Sequence, residues 1–179
     1  NQLPLGVVGV AVGTALLPLL SRQIRAGDEA AAAHSQNRAV EFSWLLTLPA
    51  ACALFVIAAP LVQVLFARGE FGAAQSQATA AALAIYALGL PAYVLVKALA
   101  PGFFARGDTV SPVKIAVCAM VVNLVLNLIL MGPFLHVGIA MATAASSWLN
   151  AALMAYVLHR RGHFIADSRL KSRMWRTAQ

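Results

Sequence analysis

The sequence predicts an all-α integral membrane protein whose chain crosses a bilayer five times, and three observations predict it. Hydrophobic residues make up 61% of the 179 and charged residues only 11%. That is less than half the ~25% charge of a typical soluble domain, too little polar surface to face water. Five runs with little or no charge are each long enough to span, since ~30 Å of hydrocarbon needs ~17–25 helical residues. The lysines and arginines gather in alternate connections, which is how membrane proteins keep one orientation.

The runs are Leu3–Leu20, Ser43–Phe66, Thr79–Ala100, Ile115–Met131 and Val137–Leu158. In lipid every backbone polar group must be satisfied internally, so only helices or closed barrels span. Stretches of this length, rich in Ala and Leu and without period-2 alternation, select helices. Residues 1–158 form the transmembrane portion, and 159–179 a basic cytoplasmic tail or loop. The chain opens on Asn1-Gln2 with no Met, so the N-terminus is expected further upstream.

Orientation follows from the connections. Arg22, Arg25 and Arg38 occupy the first, Arg106 and Lys114 the third, and Arg160, Arg161, Arg169, Lys171, Arg173 and Arg176 the tail. The second connection holds only Arg68 and the fourth none. Basic residues favour the cytoplasmic side, so the chain starts outside and its first helix runs inward. This topology accounts for the net charge of +7 without nucleic acid as a partner. Asp28 and Glu29 stand where a helix N-terminus favours negative charge, predicting a short interfacial helix that merges into the second span.

Enzymatic chemistry is not supported. All six acidic residues, Asp28, Glu29, Glu41, Glu70, Asp108 and Asp167, lie outside the five runs. There is no HExxH, GxSxG, P-loop or clustered Cys/His, so no metal and no cofactor are expected. Cys52 and Cys118 read as small buried apolar residues, and His34, His136, His159 and His163 as solvated. The pair Gly9–Gly13 forms a GxxxG, which lets membrane helices approach closely, and Pro49, Pro60 and Pro91 predict bends.

Lys97 is the one basic residue inside a span. It lies nine residues before Arg106, ~13 Å deep in a straight helix. Two explanations fit it: a cavity-facing cation, or a side chain snorkelling to the cytoplasmic headgroups. Tyr86, Tyr93 and Lys97, spaced i, i+7, i+11, share one helix face. Asn123 and Asn127 stand at i, i+4 on the fourth span, and Thr143, Ser146, Ser147 and Asn150 form a stripe on the fifth. Both sets fit interhelical hydrogen bonding or the lining of a cavity.

Several stretches resemble the MurJ (MviN) lipid II flippases. QLPLGVVGVAVGTALLPLLSR (Gln2–Arg22) is similar to that family's eighth helix, and PLVQVLFARGEF (Pro60–Phe71) to its next periplasmic turn. VKALAPGFFARGDTVSPVKIA (Val96–Ala116) is similar to the join of the tenth and eleventh helices, and HVGIAMATAASSWLNAAL (His136–Leu153) to the twelfth. The resemblance runs in order along nearly the whole chain, and LAPGFFARGD with SPVKIA is its most specific part. It implies a bacterial inner-membrane transporter of the multidrug/oligosaccharidyl-lipid/polysaccharide exporter superfamily, with fourteen helices in two lobes around a cationic cavity. Such transporters move the undecaprenyl-pyrophosphate-linked peptidoglycan precursor from the cytoplasmic to the periplasmic leaflet by alternating access. Relative to that pattern the first seven helices and the last two are absent, which leaves the C-terminal lobe without its first helix. Most of the cavity arginines fall in the missing N-terminal lobe, one of its expected partners beside the precursor and membrane lipids. On this chain the expected transport-path residues are Lys97, Tyr93 and Asn123, while Arg106 and Lys114 are cytoplasmic gate or topology charges. A polysaccharide or drug exporter of the same superfamily, or a nontransporting membrane scaffold, are the alternatives.

Overall fold

A computed structural model describes residues 10–66 and 73–162. The first nine residues of the chain, the Arg68 turn, and the tail from His163 onward lie outside the described residues. Four helices are named here: α1 (Ala11–Arg25), α2 (Glu29–Phe66), α3 (Ala73–Phe104) and α4 (Val110–Arg160). Helix α4 is 51 residues long, about 76 Å if straight, yet it cannot be straight. Asn123 hydrogen bonds to Ser146, and Arg161 reaches back to Ser111. The chain therefore folds back near Gly132 into a first arm (Val110–Gly132) and a second arm (Val137–Arg160), each long and apolar enough to span. With the two arms counted separately, the described residues form five helical segments.

Four segments meet the length and hydropathy of a membrane span among the described residues: Glu29–Leu65, Gln75–Phe104, and the two arms of α4. Helix α1 begins at Ala11, and residues 3–9 of the expected Leu3–Leu20 run lie outside the described residues. Helix α2 is continuous from Glu29, and the expected interfacial helix forms its opening turns. Helix α3 runs through Pro101 to Phe104.

The two turns at the basic end share one construction. After α1, Gly27 adopts φ 76°, a conformation that suits glycine, and Asp28 Oδ1 accepts the Ala31 amide at 2.8 Å to cap α2. After α3, Gly107 adopts φ 74° and Asp108 Oδ1 accepts the Ser111 amide at 2.9 Å. A Gly-Asp pair thus stops one helix and starts the next in both places.

Helix α3 packs against α1, α2 and α4 and is the centre of the bundle. Leu90, Ala92, Val94 and Ala98 on it are wholly buried. The outward faces are apolar: Val56 is 74% exposed and Leu128 71%, as suits surfaces that meet lipid. Cys52 and Cys118 lie on these faces, free and exposed, which corrects the expectation that they are buried. Apolarity does not distinguish inside from outside when the solvent is hydrocarbon.

Candidate functional site

The polar residues of the bundle fall into two groups: ties at the basic end, and a cluster midway along the second arm of α4. At the basic end, Gln23 Nε2 on α1 donates to Ser35 Oγ on α2 at 3.0 Å. Arg106, its side chain 12% exposed, donates to the Glu29 carboxylate at 2.5 Å and to the Gly102 carbonyl at 2.9 Å. Arg161 pairs with Asp108 and donates to Ser111 Oγ at 2.8 Å. Hydrogen bonds from Ser111, and then the Arg161 guanidinium, hold the Asp108 carboxyl well below the usual carboxylate range. Arg38 and Glu41 pair within α2. These contacts bring the α1–α2 turn, the α3–α4 turn and the end of α4 together on one side, as alternate crossing requires. Lys114 is exposed one turn into α4.

The central cluster is built on the second arm. Asn127 Nδ2 donates to Asn123 Oδ1 at 2.9 Å, and Asn123 Nδ2 to Ser146 Oγ at 3.0 Å. Ser146 Oγ and Ser147 Oγ both donate to the Thr143 carbonyl, at 3.0 and 2.7 Å. Tyr93 of α3 lies beside Ser147. The structure thus places Tyr93, from α3, beside the Thr143–Ser147 segment to which Asn123 bonds from the first arm. The i, i+4 asparagines and the Ser/Thr stripe meet through one interhelical hydrogen bond, from Asn123 to Ser146. A close approach makes this possible: a Cβ on Gly89 would stand 3.3 Å from the Ala144 Cα.

Lys97 lies outside this network. It is four residues beyond Tyr93 toward the basic end, and it is exposed. Its carbonyl faces α1, where a Cβ on Gly13 would stand 3.3 Å from the oxygen. Pro101 has no N–H to give the Lys97 carbonyl, and Gly13 lets α1 come close over that point.

Two residues with polar ties to α3 were not anticipated. Gln36 of α2, 2% exposed, donates to the Ala98 carbonyl at 2.6 Å. Trp148 of the second arm donates from Nε1 to the Leu88 carbonyl at 3.1 Å. The signal for Gln36 was present: Gln36, Ser43 and Thr47, spaced i, i+7, i+11, share a helix face and are buried. Trp148 carried no comparable pattern.

These helices, their apolar outer faces and their internal polar ties define a multi-pass α-helical membrane protein. The model of the family described as "Lipid II flippase MurJ" matches residues 1–178, and the chain belongs to that family. It is 48% identical over 172 residues to the "Probable lipid II flippase MurJ" of Rhizobium tropici, covering 96% of this chain and 32% of that protein. It is 49% identical over 173 residues to the protein of the same name from Rhizobium meliloti, covering 97% of this chain and 32% of that one. A solved structure titled "Lipid II flippase MurJ, inward closed conformation" aligns with a TM-score of 0.82 at 21% identity, over 99% of this chain and 36% of that chain. The chain therefore spans about a third of the length of the curated relatives it matches.

Proposed function

We propose that this chain is the C-terminal-lobe portion of a bacterial inner-membrane flippase that moves lipid II from the cytoplasmic to the periplasmic leaflet by alternating access, for cell-wall synthesis. The observation that carries this reading is the family match along the entire chain, with relatives near half identity. In the complete transporter these five helices work against an N-terminal lobe, and the basic end faces the cytoplasm. The protein acts as a transporter, not an enzyme.

Within this lobe Lys97 supplies a cation toward the pyrophosphate of the substrate, because a lysine carried inside a span is costly and serves a partner or cavity. Tyr93, one turn away and beside Ser147, and Asn123, bonded to Ser146, form the polar wall behind it. Arg106 and Lys114 mark the cytoplasmic end, where Arg106 closes the α3–α4 turn onto α2.

The test is complementation of a strain depleted of the full-length protein by the Lys97→Ala, Tyr93→Ala, Asn123→Ala triple variant. Loss of rescue, with lipid II no longer accessible in the outer leaflet, is expected. Full rescue overturns the assignment of these residues. A full-length protein that leaves lipid II distribution unchanged on depletion would instead be an exporter of another substrate or a scaffold.

A further inference from the structure

A proline nitrogen carries no hydrogen, and its ring crowds the carbonyl one turn back. Pro91 and Pro101 of α3 therefore leave the carbonyls four residues upstream, those of Ala87 and Lys97, without their usual amide donor. At both places a side-chain N–H from another helix reaches the carbonyl three residues before the proline. Trp148 Nε1, from the second arm of α4, meets Leu88. Gln36 Nε2, from α2, meets Ala98. The segment between these two carbonyls carries Tyr93 and Lys97.

Both donors are themselves placed from α2. A Cβ at position 102 would come within 2.9 Å of Gln36 Oε1, so glycine there leaves room for the amide to lie across the Pro101 bend. The Trp148 ring meets Trp44 of α2 edge-on, with centroids 5.9 Å apart and planes at 75°. Gln36 and Trp44 are eight residues apart, about 12 Å along the helix axis. A shift of α2 along its axis therefore acts on both bends together, directly through Gln36 and through Trp44 on Trp148.

We propose that α3 is a helix with two joints, and that Gln36 and Trp148 are positioning residues that latch them, coupling movement of α2 to the placement of Tyr93 and Lys97. The latches follow from geometry; their consequence for transport rests on the function proposed above. Each side-chain donor reaches the carbonyl next to the vacated one, so each latch favours the bend geometry that lets it close. When α2 moves, both carbonyls lose these side-chain donors and the segment is free to take a second set of angles.

The experiment is pulsed electron spin resonance on the full-length protein in lipid nanodiscs, in a cysteine-free background. Spin labels at Gln77→Cys and Phe104→Cys lie on either side of both joints. Gln36→Met and Trp148→Phe remove each N–H while keeping most of the bulk. Each variant is expected to add a second population of distances, and the double variant to enlarge it, with a melting temperature close to that of the parent. The latch is overturned if the double variant's distances superimpose on the parent's, or if the protein melts earlier with distances unchanged, as ordinary packing bonds would give. A second population together with intact lipid II flipping upholds the latches and instead removes Tyr93 and Lys97 from the transport path.

Discussion

Asn123 on the first arm of α4 donates to Ser146 on the second arm across 3.0 Å, joining residues 23 positions apart in sequence. The bond ties the hairpin at mid-depth, and Asn127 extends it by donating to Asn123. Interhelical hydrogen bonds in membranes contribute ~0.6 kcal/mol on average and at most ~1.7, because alternatives exist in the unfolded chain. A double-mutant cycle of Asn123→Ala and Ser146→Ala is expected to give a coupling of about 0.6 kcal/mol in reversible unfolding within lipid. No coupling at all would mean that the two side chains do not share the bond.

The hairpin also depends on glycine where its arms converge. A Cβ at Gly138 would stand 2.3 Å from the Leu130 carbonyl oxygen and 2.7 Å from its carbon. Backbone atoms cannot swing aside as a flexible side chain can. At Gly132, six residues earlier, an added Cβ meets nothing within 4 Å. Gly138→Ala is therefore expected to destabilise by about 1–3 kcal/mol through overpacking. Gly132→Ala is expected to lie within about 1 kcal/mol of the parent on either side. Thermal unfolding of the two variants side by side, in the full-length protein, checks the contrast. Equal effects would remove the close approach as the reason for glycine at 138.

The spans were legible because bilayer thickness sets a length that an uncharged run must meet, and the basic connections fix alternate ends. The Gly-Asp turns are half legible: the sequence marks Asp28 as a helix start, whereas the same device at Gly107-Asp108 shows only in the structure. Burial was the least legible property. In water, hydrophobicity sorts inside from outside, but here Val56 faces outward while Gln36 and Thr47 are buried. Cys52 and Cys118 were misplaced for that reason. Asn123 and Tyr93 stand out as polar residues within apolar runs; Asn123 bonds to Ser146 across the hairpin and Tyr93 lies beside Ser147. The partners of the α3 carbonyls could not be read, because periodicity names a helix face but not the helix that covers it. Trp148 looks like any interfacial aromatic until α3 is placed beside it.

The Asp108–Ser111–Arg161 contact makes a prediction about pH, and its sign follows from the direction of the shift. The Asp108 carboxyl is held below its ordinary value, chiefly by hydrogen bonds from Ser111 and further by Arg161. A carboxyl depressed in the folded state binds fewer protons there than in the unfolded chain, so it adds stability above its unfolded pKa of ~3.9. That contribution is fully present from about pH 5 upward and is lost as the pH falls below ~4 toward the depressed value. Asp108→Asn keeps the size of the side chain and removes the charge that Arg161 meets. Between pH 5 and 8 this variant is expected to melt below the parent by a constant margin, and the margin is expected to narrow as the pH drops under ~4. Added salt should reduce the margin as well, since the Arg161 side chain is 45% exposed and exposed pairs are screened. Melting curves of parent and variant across pH 3–8 provide the measurement. A margin that grows toward low pH would reverse the sign and show that the Asp108 carboxyl is stabilised in its protonated form.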